Sequence, residues 1–381
     1  MVSVSGGSSV YYDYEIEFLE SYGTQYIDTG YKPNQNTRIV IDVKNGDNVP
    51  GDNYGNSYPK LFGCSDGTSN YTLYFQHGSR GNIHLRRGNE GANRLSTSAD
   101  RSRHIYDLNK NVLYRDGVQL YEGHTNSFQC QTNLTILTLN NSNGVSSNSF
   151  DYLCCRIYSI KIYDNDVLVR DMIPVLFEGD GYMFDKVSEQ LFGNAGSGSF
   201  GLGSRKIEPE ENFIDLGLPS GLMWARCNLG TMYEAGIGDY YRWGSITPDG
   251  AYDTQSSGTL PLEKDAAHVN MGGDWRMPTK EECQELINNT TQTLVTVGVM
   301  NCIKVSNIVN GEERYMLLPL AGMNNGANNF NGAIAIYSST ANGANTAYGI
   351  WNTSSGSGNL FITSGYGSGK TDRLQIRGVH V

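Results

Sequence analysis

Asn109-Lys-Asn-Val-Leu-Tyr-Arg-Asp-Gly-Val-Gln-Leu-Tyr121 decides how the first half of the chain is read. Asp116-Gly117 supplies residues that readily take the left-handed backbone of a two-residue turn, and β-favouring side chains flank it on both sides. The run predicts a hairpin. Outward from it, short β-rich runs recur between Asn/Gly/Asp turns at 37–43, 71–76, 82–86, 104–108, 112–114, 134–139 and 155–163. Strands at this spacing predict an antiparallel β-sandwich. In Arg38-Ile-Val-Ile-Asp-Val-Lys44 apolar side chains stand at both parities, which predicts a strand covered on both faces.

The chain has 381 residues, 18% of them charged and 38% hydrophobic, with 46 glycines and 25 tyrosines. That length suits two domains with short extras, and that balance favours short strands and turns over a coiled coil or helical bundle. Net charge is −11, spread over both halves. The nearest cationic cluster, Arg86-Arg87 with Arg94, Arg101 and Arg103, is diluted by Glu90, Asp100 and Asp107, so no nucleic-acid partner is expected. No run of 18 apolar residues exists, and Met1-Val-Ser-Val-Ser-Gly-Gly-Ser-Ser9 has neither a basic region nor an apolar core. Neither membrane insertion nor a secretory signal is expected. The seven cysteines, an odd number without Cys-x-x-Cys spacing, read as reduced buried thiols.

Composition divides the chain into a Gly/Ser arm at 1–13, a domain at 14–203, a linker at 204–212 and a second domain at 213–381. The charged, proline-containing run 204–212 follows a glycine-rich stretch, the composition of a joint. In the second domain Thr279-Lys-Glu-Glu282 has the capping-box pattern and predicts a helix from Lys280 through Cys283, Leu286 and Ile287, ended by two asparagines and two threonines. Asp265 predicts the N-cap of a short helix over Ala266-Ala-His268. Trp224, Trp243 and Trp275 read as core.

Phe18-Leu-Glu-Ser-Tyr-Gly-Thr-Gln-Tyr-Ile-Asp-Thr-Gly30, the Tyr114-Arg-Asp-Gly117 hairpin, Cys155-Arg-Ile-Tyr-Ser-Ile-Lys-Ile-Tyr-Asp164, Leu168-Val-Arg-Asp-Met-Ile-Pro174 and Phe192-Gly-Asn-Ala-Gly196 occur in order. Together they resemble the concanavalin A-like (laminin-G-like) jelly-roll domains of gut-bacterial surface proteins and their phages. The resemblance implies two antiparallel sheets with a concave face. Beyond the linker, Gly272-Gly-Asp-Trp-Arg-Met-Pro-Thr279 and the ending Arg373-Leu-Gln-Ile-Arg-Gly-Val-His-Val381 resemble the C-type-lectin-like domain of the bacterial paralogous-domain family and, more distantly, phage variable proteins. The fold expected is therefore mainly β: a jelly-roll sandwich followed by an α+β C-type-lectin-like domain. Tyr337-Ser-Ser-Thr340 matches a further motif of those relatives in part.

No catalytic set assembles from the sequence. Glu15-Ile-Glu-Phe-Leu-Glu20 is similar to the Glu-x-Asp-x-x-Glu of laminarinase-type hydrolases, but its middle acid is Glu17 and it lies on the opening strand, where alternating acids face water. Cys283 and Cys302 sit in core-like patterns rather than as activated thiols. The six histidines are scattered singly, so no metal is expected. The stretch 317–369 has no Asp or Glu, and the calcium-binding motifs of sugar-binding C-type lectins are absent. No cofactor is expected.

That acid-free stretch contains Asn324-Asn-Gly-Ala-Asn-Asn-Phe-Asn-Gly-Ala333 and Thr340-Ala-Asn-Gly-Ala-Asn-Thr-Ala-Tyr-Gly-Ile-Trp-Asn352. Amides that both donate and accept, interleaved with rings, suit an adaptable contact surface, while ordinary Asn/Gly turns read as well. The expected ligand-binding residues are Asn324, Asn325, Asn328, Asn329, Asn342, Asn345, Tyr348, Trp351 and Asn352. The function expected is non-catalytic adhesion to a cell-surface glycan or protein, as a phage head- or tail-fibre component of the virion. The arm at 1–13 would join other virion proteins in a homo-oligomer. A secreted bacterial surface adhesin and a laminarinase-like hydrolase are the alternatives.

Overall fold

The computed structural model describes residues 12–46, 58–75, 82–98, 100–298, 300–324, 329–330, 332–352, 359–364 and 369–380. The arm expected at 1–13 lies almost wholly outside them. The chain is mainly β and divides into two compact units, Met1–Gly203 and Ser204–Val381.

In the first unit one sheet runs, in spatial order, Val118–Glu122, Val112–Arg115, Arg103–Asn109, Thr37–Asn45, Cys155–Asp164, Val167–Phe177, Asp180–Asp185 and Gln190–Phe192. The other runs Gly144–Val145, Asn140–Asn141, Lys60–Ser65, Asn70–Phe75, Asn82–Gly88 and Asn93–Ser98. Ile39, Ile41, Ile157 and Ile160 of the first sheet share one core cluster with Phe62, Leu73, Ile83 and Leu85 of the second. This is a sandwich closed by apolar burial.

The 109–121 hairpin forms. Asp116 and Gly117 take φ of 52° and 77°, the left-handed pair that two-residue hairpin turns need, and Arg115 pairs with Val118. Thr37–Asn45 corrects an expectation, because its burial alternates strictly: Ile39, Ile41 and Val43 face the core while Arg38, Val40, Asp42 and Lys44 are only half-covered. The apparent second apolar face is Val40 alone, set among cross-strand ion pairs of Arg38 with Asp107 and Arg103 with Asp42, both at 2.7 Å. The run 134–139 gives only the strand Thr135–Ile136, since Leu137 takes a φ of 77° and leaves the ladder.

The second unit is built from short sheets and two helices. Helix α1, Ala266–Met271, is capped by Asp265, which accepts from the His268 N–H at 3.0 Å. Helix α2, Lys280–Asn289, carries the full capping box: Thr279 Oγ1 accepts from the Glu282 N–H at 3.2 Å, and Glu282 Oε2 accepts from the Thr279 N–H at 2.7 Å. Its inward face buries Cys283 and Leu286, and it stops as Thr290 turns to extended backbone. Thr291–Val297, Met300–Val309 and Glu312–Pro319 form a meander. Val379–His380 returns beside Met223–Trp224. Trp224 and Trp243 are fully buried, whereas Trp275 is only half-buried, edge-on to His380 at 5.2 Å.

The stretch 204–212 is not a free linker. Ser204 and Ile207 are buried, the Ile207 N–H donates to the Met232 carbonyl at 2.6 Å, and Lys206 bridges to Tyr233. One apolar residue in a polar run is enough to anchor it to the unit that follows.

Candidate functional site

A strand shows alternate side chains to opposite faces, so Tyr71, Leu73 and Phe75 enter the core while Asn70, Thr72 and Tyr74 stand on the other side of the sheet. Cross-strand register then lines up three rows. Tyr74 lies opposite Lys60 on one side and His84 on the other, Thr72 lies between Gly63 and Arg86, and Asn70 lies between Ser65 and Gly88. With Tyr58, Ala92, Leu139 and Asp151 from the flanking loops, these residues line a cleft of about 470 Å³. Ligand sites commonly span about 300–1,000 Å³.

Aromatic rings form one end of the cleft. Tyr74 and His84 stack at 4.9 Å between centroids with planes 13° apart, and Tyr58 stands edge-on to both, at 5.9 and 6.1 Å. Lys60 Nζ lies 5.3 Å from the Tyr74 centroid, close enough for a cation–π contact, and donates to Asp151 Oδ1 and to the Tyr58 carbonyl, both at 2.5 Å. Asp151 Oδ2 accepts from Ser146 Oγ at 2.6 Å. Further along, Ser65 Oγ bonds Asn70 Oδ1 at 2.9 Å, and Thr72 Oγ1 donates to the Cys64 carbonyl. Gly63 keeps this floor thin: a Cβ there would meet Leu139 Cδ1 at 3.1 Å and the Thr138 carbonyl at 3.2 Å.

Burial sets the protonation of the cleft. It pushes the Tyr74 phenol up and, together with Arg94, pulls His84 below its ordinary value, so both rings are neutral near pH 7. Burial also lowers Lys60, an effect that Asp151 opposes. Rings and hydroxyls beside a fixed ion pair suit the hold of a polar ligand that has an apolar face.

The expected binding residues of the second unit are placed differently. Asn325 and Asn328 lie outside the described residues. Asn329 belongs to the two-residue strand Asn329–Phe330, opposite Asn324. The Asn324 N–H donates to the Arg373 carbonyl at 2.9 Å. Asn342 and Asn345 sit in the connection between strands Ala335–Ala341 and Ala347–Trp351, Asn345 exposed and its carbonyl accepting from the Lys370 N–H. Tyr348 is half-buried with Lys280 Nζ 4.3 Å from its ring centroid. Trp351 is three residues on, hence on the opposite face, packed against the cluster around Trp243 and Tyr337. Asn352 is buried, and its Oδ1 accepts from the Ile334 N–H at 2.6 Å. The fold thus groups Asn342 with Asn345 but separates Tyr348 from Trp351. Tyr337-Ser-Ser-Thr340 is internal scaffolding: the Tyr337 hydroxyl donates to the Gly369 carbonyl at 2.5 Å and Ser339 Oγ to the Pro278 carbonyl at 3.2 Å.

The opening acids do not share one strand. Glu15 is in Tyr14–Glu15, paired to Val175, while Glu20 is in Leu19–Glu20, paired to Arg156 and ion-paired with it at 3.2 Å. Glu17 lies between, its carboxyl raised by burial against the pull of Arg103, Arg156 and Lys44. Glu15 and Glu20 belong to the sheet that does not carry the cleft, and Glu17 sits in the bend between their strands. The seven cysteines are free and buried. Burial pushes Cys154 and Cys227 up to about 11 and Cys302 to about 12, the reverse of an activated thiol. Among the described residues, no group of three or more His, Cys, Asp or Glu side chains is placed to hold a metal ion.

The cleft residues escaped the sequence reading because pairing Tyr74 with His84 and Lys60 needs a register. The alternation of Thr72 with Tyr74 and of His84 with Arg86 was the only local signal. No family model matches the chain, and no curated protein matches it.

Proposed function

We propose that the chain is a non-catalytic recognition protein that holds a cell-surface glycan in the cleft of its first unit. The observation that carries this reading is the row Lys60–Tyr74–His84, where neutral rings and fixed polar groups share one sheet face. The resemblance of residues 14–203 to concanavalin A-like domains, and of 213–381 to C-type-lectin-like domains, supports the same class of function. On a phage fibre, many copies would turn weak contacts into avidity. The exposed turn carrying Asn342 and Asn345 is then a second contact, to glycan or protein.

A retaining hydrolase would place two carboxyl groups about 5 Å apart around the bound sugar. Among the described residues the cleft is lined by one carboxylate, Asp151, and Lys60 already holds it. The test is a glycan array and whole-cell binding with the intact chain and with Ala92→Trp, which puts a large ring at an exposed position lining the cleft. Binding that this variant abolishes, with no release of reducing sugar, is expected. Glycan binding insensitive to Ala92→Trp would overturn the cleft as the site, and sugar release would overturn the non-catalytic reading.

A further inference from the structure

We propose that the cleft selects a glycan bearing a ring carboxylate, a uronic or sialic acid, and that Arg86 is the residue that reads it. This rests on the cleft being the glycan site, and it adds the ligand class.

Among the described residues two cations line the cleft, and they differ in what holds them. Lys60 is neutralised by Asp151 at 2.5 Å, and that carboxylate is fixed in turn by Ser146. Arg86 is exposed in the row next to the rings, opposite Thr72, and among the described residues its side chain has neither an ion-pair nor a hydrogen-bond partner. Its sequence neighbour shows how unusual that is. Arg87 points to the core side of the same strand, where Nη1 and Nη2 donate to the His124 and Gln35 carbonyls at 2.9 Å and the guanidinium lies 5.0 Å from the Phe128 centroid. Arg38, Arg103 and Arg276 are each forked onto a carboxylate. In a chain of net charge −11, a cleft whose described lining sums to one uncompensated positive charge runs against the sign of the chain as a whole.

The spacing suits one sugar. Arg86 is two residues from His84 on the same face, about 7 Å along the strand. A ring lying against the Tyr58, Tyr74 and His84 patch presents its carboxylate to the guanidinium, which accepts that planar anion in two parallel N–H···O bonds. His84, held neutral by burial, adds no competing charge. Thr72, opposite Arg86, and Asn70, one row beyond it, line the same face as partners for ring hydroxyls.

The experiment is calorimetry on the full chain with a glucuronate disaccharide, sialyllactose, lactose and sulfated lactose, at low and at raised salt. The carboxylated probes are expected to bind about tenfold tighter than lactose at low salt, the scale of one charge-assisted bidentate contact. Raised salt should shrink that preference. Arg86→Gln should bring the carboxylated probes down to the lactose level, and Arg86→Lys should recover only part, since an ammonium lacks the fork. If carboxylated probes and lactose bind equally and Ala92→Trp blocks both, acid selectivity is overturned while the cleft stands. Sulfated lactose binding as tightly as the carboxylated probes overturns the carboxylate assignment. Binding by none of the probes, or binding that Ala92→Trp leaves intact, overturns both proposals.

Discussion

The two units reach a defined interior by different means. In Met1–Gly203, long ladders such as Thr37–Asn45 against Cys155–Asp164 enclose one apolar cluster drawn from both sheets. In Ser204–Val381 the described sheets have only two or three strands each, and the described buried residues fall into three smaller clusters. There, polar groups reach between the pieces. Arg377 is fully buried, Nη1 donating to the Ala225 carbonyl at 3.1 Å and Nη2 to the Leu317 carbonyl at 2.6 Å. Lys370, also fully buried, lies 3.9 Å from the Trp243 centroid and donates to the Gln255 carbonyl. Trp243 Nε1 donates to the Ser338 carbonyl at 2.9 Å. Where the sheets are broad, register and apolar burial specify the structure; where they are narrow, buried polar anchors in a low-dielectric interior join the pieces.

All four tryptophans belong to the second unit, so fluorescence isolates its unfolding while far-ultraviolet circular dichroism follows both units. The largest effect expected is from Arg377→Met. It strands two buried carbonyls at roughly 1–3 kcal/mol each and disturbs the packing, about 4 kcal/mol in all. Urea unfolding should show the fluorescence transition move to lower denaturant while the first unit's stays. A loss under about 1 kcal/mol would break the contrast, since it would make the anchor dispensable.

Leu73→Ala is the mirror experiment. It opens a cavity in the continuous core at a cost of about 3 kcal/mol, and only the dichroism transition should shift. Thr279→Ala comes next, at about 1 kcal/mol in the fluorescence transition, because the first turn of α2 loses its cap.

The smallest expected effect, about 0.5 kcal/mol, sharpens the comparison through pH. Burial alone would raise the Glu282 carboxyl, but the bonds from Arg276 and Thr279 together bring it below its ordinary 4.5. A depressed acid stabilises the fold above pH 4.5, and the contribution is lost as pH falls through the folded value. Wild type should therefore exceed Glu282→Gln in stability near neutral pH, and the gap should close on acidification. A gap that widens as pH falls would show the sign is wrong.

How much could be read in advance depended on range. The Asp116-Gly117 turn, the Thr279–Glu282 box and the Asp265 cap are contacts between residues one to three apart, and all three were legible. The two-sided reading of Arg38–Lys44 failed because a lone Val40 among ion pairs imitates an apolar face. Tyr348 and Trp351 read as one surface because a list of residues does not show that an odd separation on a strand turns them apart. The cleft was invisible for the same reason at longer range.

Residue types, their short-range spacing and their turn chemistry by themselves determined that this chain is mainly β, where its caps and tight turns fall, and that Trp224 and Trp243 are interior. Only the tertiary structure decided that Tyr74 faces His84 and Lys60, and that Arg86 stands in the cleft while Arg87 is buried. Strands pair residues brought together from distant parts of the chain, and side chains alternate with period two, so a register shift of one residue would send every one of these groups to the other face.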